Sequence, residues 1–395
     1  MVKAVVLAPD LNARGGAERV ALSIAAALRD LDMTVVIASP SKVRLNSLGE
    51  YFSIDLKGVE AIEVPTLPPG MRNLPNEMRE IICETRMRKR ISRLRSDVFV
   101  QSIYANEISG LAPLSYYYVH FPHTVEANPV GTLRGAYYRL ARAYRKASVS
   151  GGSDFASTYR RILANSEFTA SQVAEKWNTH ADVLYPPSPS VGQGRTSRSL
   201  RILSVGRFQE YMPGVPHKRQ DALIQAFRTM TSLHRHGWEL HLAGSVGSQY
   251  EIERLRSLSE GLPVYFHADA HRDLLVDLYK SSAIYWHAQG YGGSADPFTQ
   301  EHFGISVVEA MSAGLIPLVY DDGGPSEIVR PIGPFCRWNT LEGLRMATEQ
   351  VAATGAHRLE EIRAACGRRA AEFSPEEFST RIQQLIRHDL FGAQP

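Results

Sequence analysis

Near its middle the chain changes character. From Tyr185-Pro186-Pro187-Ser188-Pro189-Ser190 on to Ser199 it is mostly Pro, Ser, Gly and Arg, with little that could enter a core. Such a stretch reads as an interdomain linker. On each side of it, short apolar runs alternate with stretches of helical period, and this twofold pattern limits the fold more than any other feature. In the first half, residues 4–8 form a buried strand, 9–16 a glycine-bearing loop, and 17–28 a helix with Val20, Ile24 and Leu28 on one face. A strand at 34–38 follows at once, and a strand–helix–strand unit requires parallel pairing. Further strands fall at 97–101, 115–120 and 161–165.

The second half begins the pattern anew. Strands are expected at 201–205, 238–243, 264–266, 283–287 and 316–320, with helices at 220–231, 251–259, 272–280 and from Gly304 onward. The expected fold class is α/β, with two Rossmann-like doubly wound domains. The expected boundaries are 1–190 for the first domain, 191–199 for the linker, 200–375 for the second domain, and 376–395 for a last helical segment. That last helix, roughly 375–388, carries Phe378, Ile382 and Ile386 on one stripe.

A length of 395 residues suits two domains that each bury a core, and 44% hydrophobic with 22% charged residues is globular composition. A net charge of +3 gives no indication of nucleic acid as a partner. The three cysteines, Cys83, Cys336 and Cys366, lie far apart; neither a disulfide framework nor a metal site follows, and a reducing compartment is expected. The apolar run at 4–8 is too short for a signal peptide, and nothing approaches the roughly 18 apolar residues of a membrane span. A cytoplasmic location is the expectation.

Chemistry concentrates in Glu301-His302-Phe303-Gly304-Ile305-Ser306-Val307-Val308-Glu309. The apolar positions Ile305, Val308, Met311 and Leu315 recur at helical spacing, so a helix begins near Gly304. Glu301 then lies in the loop before it and Glu309 more than a turn inside. First-turn N–H groups near Gly304, Ile305 and Ser306 favour an anion, typically a phosphate. Carboxylates on both sides can accept hydrogen bonds from sugar hydroxyls, so the pattern suits a nucleotide-sugar. Taken alone, Glu301 could equally be ordinary first-turn charge. Gly206-Arg207-Phe208 follows a strand, and His217-Lys218-Arg219-Gln220 opens a helix; cations there sit at the edge where parallel sheets bind ligands, although a solvated basic loop has the same composition. Gly15 and Gly16 mark a strand-to-helix turn where backbone can approach a ligand. The chain has neither the Gly-Lys-Ser/Thr of a phosphate-binding P-loop nor a G-x-G-x-x-G dinucleotide fingerprint, which argues against an ATPase and a dehydrogenase.

Together these strings resemble family 4 of the retaining glycosyltransferases. The resemblance lies in the E-x7-E string with its Phe303-Gly304 and the following "EAMSAG", in the "DDGGPSEIV" loop (Asp321 to Val329) after the strand at 316–320, in "SVGR…HK", in "GGAER" (Gly15 to Arg19), in "ANSEFT" (Ala164 to Thr169) and in "AGS" (Ala243 to Ser245). Tyr118-Val119-His120-Phe121-Pro122-His123 is similar to the "Y-x-H-x-P" element of mannosyltransferases that build lipid-linked oligosaccharides. The resemblance implies the GT-B architecture, two domains facing a cleft with the last helix crossing back to the first. It also implies transfer of a hexose with retention, the nucleotide's diphosphate oxygen taking the acceptor proton. On it, Arg207, Lys218 and the N–H groups near Gly304, Ile305 and Ser306 hold the diphosphate. Glu301 holds the sugar, Glu309 the ribose, and Phe303 and Gly244 lie beside the donor. His120 faces the sugar, with His123 the second choice. No cofactor and no metal are required, since cations and a helix terminus can replace the ion.

The closest motif match implies GDP-mannose as donor and a glycan or lipid-linked acceptor. The segment 290–300, "GYGGSADPFTQ", is longer than in those enzymes, so a UDP-hexose donor and a soluble or cell-envelope acceptor stay open. A nucleotide-sugar-binding protein without turnover is the remote alternative. Two basic stretches, 86–95 and 134–146, mix Arg and Lys with apolar and aromatic residues. Expected as basic helices, such runs are most often solvated faces, but can also rest peripherally on an anionic membrane.

Overall fold

The computed structural model describes residues 1–64, 67–68, 70–71, 73–123, 133–192, 198–293 and 296–392, and the backbone alone for 133–135 and 138. The chain packs as two compact units, Met1–Pro187 with Pro375–Pro395, and Ser188–Ser374. The division therefore falls at Pro187 and Ser374, beside the expected limits of 190 and 375. Residues 193–197 of the expected linker lie outside the described residues.

In the first unit the strands are β1 (Lys3–Leu7), β2 (Thr34–Ser39), β3 (Val59–Glu63), β4 (Val98–Gln101), β5 (Leu114–Val119), β6 (Arg161–Ala164) and β7 (Asp182–Val183). They form one sheet in the order β3-β2-β1-β4-β5-β6-β7, all parallel. Its helices are α1 (Gly16–Arg29), α2 (Leu45–Phe52), α3 (Asn76–Ser92), α4 (Leu133–Ser148) and α5 (Glu167–Trp177). The apolar runs of β1 and β2 are buried on both faces, as a helix-covered parallel sheet requires. Three consecutive tyrosines of β5, Tyr116, Tyr117 and Tyr118, are fully buried, and each hydroxyl is met: at Asp389 (3.1 Å), the Ile103 carbonyl (3.3 Å) and the Leu184 carbonyl (3.0 Å).

The second unit holds β8 (Arg201–Val205), β9 (Glu239–Gly244), β10 (Val264–Ala268), β11 (Ile284–His287), β12 (Ile316–Tyr320) and β13 (Arg337–Trp338), in the parallel order β10-β9-β8-β11-β12-β13. Its helices are α6 (Gln220–Arg228), α7 (Thr231–Arg235), α8 (Gln249–Leu258), α9 (Arg272–Ser281), α10 (Ile305–Ser312), α11 (Gly323–Val329), α12 (Leu341–Ala353) and α13 (Ala356–Ala371). In both sheets the strand order reverses once, at β1/β4 and at β8/β11, and a crevice opens beyond the strand ends at such a point.

Three expectations need correction. The helix expected over 220–231 is broken: it ends at Arg228, and a separate turn of helix starts at Thr231 after Met230, which has left helical geometry. The "DDGGPSEIV" segment, expected as a loop, is largely helix α11, capped by the Asp322 side chain on the Gly323 N–H at 2.7 Å. Arg93 and Arg95 lie beyond the end of the basic helix, which stops at Ser92. The short strands β3, β7 and β13 had no apolar run to announce them. The last helix, α14 (Pro375–Phe391), buries Phe378, Ile382 and Ile386 in the core of the first unit beside Val6, Leu28 and Tyr118.

Candidate active site

In the second unit the expected donor-site residues gather beyond the C-terminal ends of β8, β9 and β11. The end of β9 packs backbone to backbone on the turn after β8. A Cβ on Gly244 would lie 2.0 Å from the Gly206 carbonyl oxygen, and one on Gly206 would lie 2.5 Å from Lys218 Cγ. Gly244 is thus required by the protein's own backbone, at the place beside the donor that the resemblance implies. Both glycines line an open cavity of about 410 Å³ with Val205, Arg207, Ser245, Asp269, Ala270 and Leu275. Arg207 is exposed at this cavity and makes no ion pair among the described residues.

Lys218 and Glu301 meet directly, Nζ on Oε2. Burial alone would raise the Glu301 carboxyl, but the charge of Lys218, aided by His287, outweighs it and holds the group well below the usual carboxylate range. His287, at the end of β11, places Nε2 3.6 Å from the same Oε2, outside hydrogen-bond range. Burial is also the main reason its imidazole is pushed below its ordinary value. The preceding residue of the Lys218 loop is fixed as well. His217 is buried, accepts at Nδ1 from the Arg219 N–H (2.9 Å) and donates from Nε2 to the Gln209 carbonyl (2.8 Å). Those two bonds specify a neutral imidazole with its proton on Nε2.

Gly304 caps α10 with φ 106°, a backbone angle that favours glycine, and a Cβ would come 3.1 Å from Pro325. The N–H groups of Ile305 and Ser306 lie in the first turn, where a helix supplies no acceptor. Ser306 Oγ accepts from the Tyr285 hydroxyl at 2.8 Å. Glu309 is buried, accepts from the Tyr279 hydroxyl at 3.0 Å and stands 3.5 Å from Arg272. Phe303 is buried edge-on to Phe373. The loop is locked from below: Gly324 N–H donates to the Glu301 carbonyl at 2.9 Å, and a Cβ on Gly324 would fall 2.4 Å from Phe303 Cα.

The first unit carries the remaining expected residues. Gly15 caps α1, and its N–H donates to the Glu18 carboxylate at 2.6 Å, with Gly16 as first helical residue. His120, at the end of β5, is buried, 3.1 Å from Ser102 Oγ and stacked on Tyr104. His123 packs against Phe155 and Trp177, with Glu107 3.8 Å away. The structure therefore brings Arg207, Lys218, Glu301, Phe303, Gly304, Ile305, Ser306 and Gly244 to one strand-end region, and holds Gly15, Gly16 and His120 in the other unit. His287, Tyr285, Tyr279 and Arg272 had not been singled out; a histidine ending an apolar strand was the one available signal. Among the described residues no group of three or more His, Cys, Asp or Glu side chains is arranged for a metal ion. Nor is any described helix long and apolar enough to cross a membrane.

Residues 14–187 match the family model "Glycosyltransferase Family 4", and residues 193–333 match "Glycosyl transferases group 1". The chain belongs to glycosyltransferase family 4. As a family 4 chain it has relatives named "GDP-Man:Man(3)GlcNAc(2)-PP-Dol alpha-1,2-mannosyltransferase". That of Yarrowia lipolytica is 25% identical over 54% of this chain and 36% of its own length. That of Neurospora crassa is 30% identical over 57% and 44%, and that of Homo sapiens 26% over 57% and 48%. The chain thus spans less than half the length of these relatives. Among solved structures, a glycosyltransferase from Rickettsia africae superposes with a TM-score of 0.66 over 99% of both chains at 14% identity. WaaG, a glycosyltransferase involved in lipopolysaccharide biosynthesis, does so with 0.60 over 99% and 100% at 16%. At such identities the likeness fixes the fold, and the fold is GT-B.

Proposed function

We propose that this chain is a retaining hexosyltransferase that moves mannose from GDP-mannose to a glycan or lipid-linked acceptor. The observation that carries the proposal is the Lys218–Glu301 pair beside the first turn of α10, with the exposed Arg207 close by at the same sheet edge. A diphosphate would compete for Lys218 and engage Arg207 and the Ile305 and Ser306 N–H groups. Glu301 would then accept from sugar hydroxyls, and Glu309 from the ribose. The acceptor oxygen bonds to the anomeric carbon on the face the diphosphate leaves, and the leaving oxygen takes the acceptor's proton. The side chains supply charge and position, with no covalent intermediate. Two cations and a helix terminus would do the work that a metal ion does elsewhere. In the first unit the same function rests on His120, Gly15 and Gly16.

The names of the curated relatives support the donor and the lipid-linked acceptor. Membrane contact has a second support. On α4, Leu140 (73% exposed) and Tyr144 (53%) project among exposed Arg139, Arg142 and Lys146. Arg134, part of the same expected patch, has no described side chain. Three free thiols fit a reducing, cytoplasmic setting. Sedimentation with phosphatidylserine vesicles should be lost at high salt and in the triple variant Arg139→Gln, Arg142→Gln, Lys146→Gln. Equal sedimentation of that variant would remove the membrane from the proposal.

The deciding experiment is a thermal-shift panel of GDP- and UDP-sugars. At a hundredfold excess over Kd the correct donor should raise Tm by roughly 5–10 °C. The shift should vanish in Lys218→Ala, and sugar transfer in Glu301→Ala. A shift with UDP-sugars alone would replace GDP-mannose by a UDP-hexose, and none with either class would sink the transferase.

A further inference from the structure

Lys218 and His287 converge on one oxygen, Glu301 Oε2, from the ends of different elements. His287 is only 3% exposed, and neither of its ring nitrogens has a hydrogen-bond partner among the described residues. The other buried histidines of this unit are not arranged so. His217 is bonded at both nitrogens, and so is His241, to His267 and to Glu239. A buried imidazole with both nitrogens idle costs stability and calls for a reason. Hydrophobic packing at the end of β11 could be met by Leu or Phe without that cost.

We propose that His287 is a positioning residue for Glu301: its Nε2–H takes over the carboxylate when Lys218 turns to the donor's diphosphate, and keeps it aimed at the sugar. The inference rests on the transfer function proposed above. At rest, Lys218 satisfies Oε2 and the imidazole waits at 3.6 Å. Once Lys218 leaves, Glu301 would otherwise be a half-buried anion without a partner. A small rotation brings Nε2 within the 2.7–3.2 Å of a hydrogen bond. The imidazole stays neutral and donates its one proton without transferring it, which leaves Oε1 free to accept from a sugar hydroxyl. Tyr285, two residues earlier on the same strand, holds Ser306 in the first turn of α10, so one short strand would set both the sugar-binding carboxylate and the diphosphate-binding turn.

The test compares His287→Gln, His287→Asn and His287→Phe with wild type, measuring release of nucleoside diphosphate from GDP-mannose and from UDP-glucose alongside Kd for GDP and UDP. Glutamine can present an N–H where Nε2 stands and should keep kcat within about threefold. Asparagine reaches only the Nδ1 side, and phenylalanine has no donor; both should lower kcat roughly tenfold or more, with the nucleoside diphosphate Kd unchanged. A purely structural role would instead rank the variants by Tm and shift Kd with kcat. Wild-type kcat in the asparagine or phenylalanine variant overturns the assignment alone. Wild-type protein that binds neither nucleotide and turns over neither donor overturns the transfer function, and this assignment with it.

Discussion

Lys218 stabilises Glu301 before any substrate arrives, and the consequence is measurable without one. Removing the ammonium in Lys218→Met leaves a poorly solvated carboxylate facing only a neutral imidazole. Stability at pH 7 should fall by about 1–2 kcal/mol. In the variant the folded pKa of Glu301 rises above its unfolded value. The loss should therefore shrink as pH drops toward 4, where the carboxyl binds its proton. Denaturant melts of both proteins at pH 4.5 and 7 would show it, and a pH-independent difference would count against the pair. Gly324 is a second residue-scale case. With its Cβ position 2.4 Å from Phe303 Cα, Gly324→Ala should cost about 2–4 kcal/mol by displacing the loop that carries Glu301. A melt unchanged within 0.5 kcal/mol, on the order of a neutral surface change, would show that the loop yields freely.

At the scale of elements, α14 is held to the first unit by two kinds of contact. Its apolar stripe enters the core, and Asp389, with a side chain fully buried, accepts from Arg161 at 2.7 and 2.9 Å and from Tyr116 at 3.1 Å. Ile382→Ala should destabilise the first unit by about 2–4 kcal/mol, the usual cost of a buried cavity. Donor-induced shifts, which belong to the second unit, should persist; their loss in this variant would contradict the assignment of the donor site. Helix α5 is anchored by Ser166, whose hydroxyl accepts from the Thr169 N–H at 3.0 Å. Its strand-to-helix turn is the "ANSEFT" string, whose place in the sequence thus has an architectural cause, an N-cap worth about 1 kcal/mol.

Across the whole molecule, pH is the most informative variable. Burial is the leading cause that pushes His217, His241, His267 and His287 of the second unit below their ordinary values. Their folded pKa values thus lie below the unfolded value of about 6.5, so the unfolded chain binds protons first as pH falls. Stability should be flat above that pH and decline below it, each group adding up to about 1.4 kcal/mol per pH unit. Thermal melts between pH 5 and 8 should show this decline, and His217→Gln, which can donate and accept in the same places, should flatten it. An identical slope in the variant would mean that His217 titrates normally.

The sequence by itself determined the two α/β series, the order of their strands in the chain, and the strings that belong to family 4, because each rests on local periodicity or on neighbours in the chain. The strands it missed, β3, β7 and β13, are short and take their partners from the sheet. It also put Glu301 before a helix and Lys218 at the start of another. Only the tertiary structure decided that these two side chains form an ion pair, that Gly244 answers to the Gly206 carbonyl, and that His287 stands beside Glu301 with both nitrogens idle. Those facts depend on how β8, β9 and β11 lie side by side at the point where the strand order reverses. Spacing along a chain records the period of an element but not the element that packs against it.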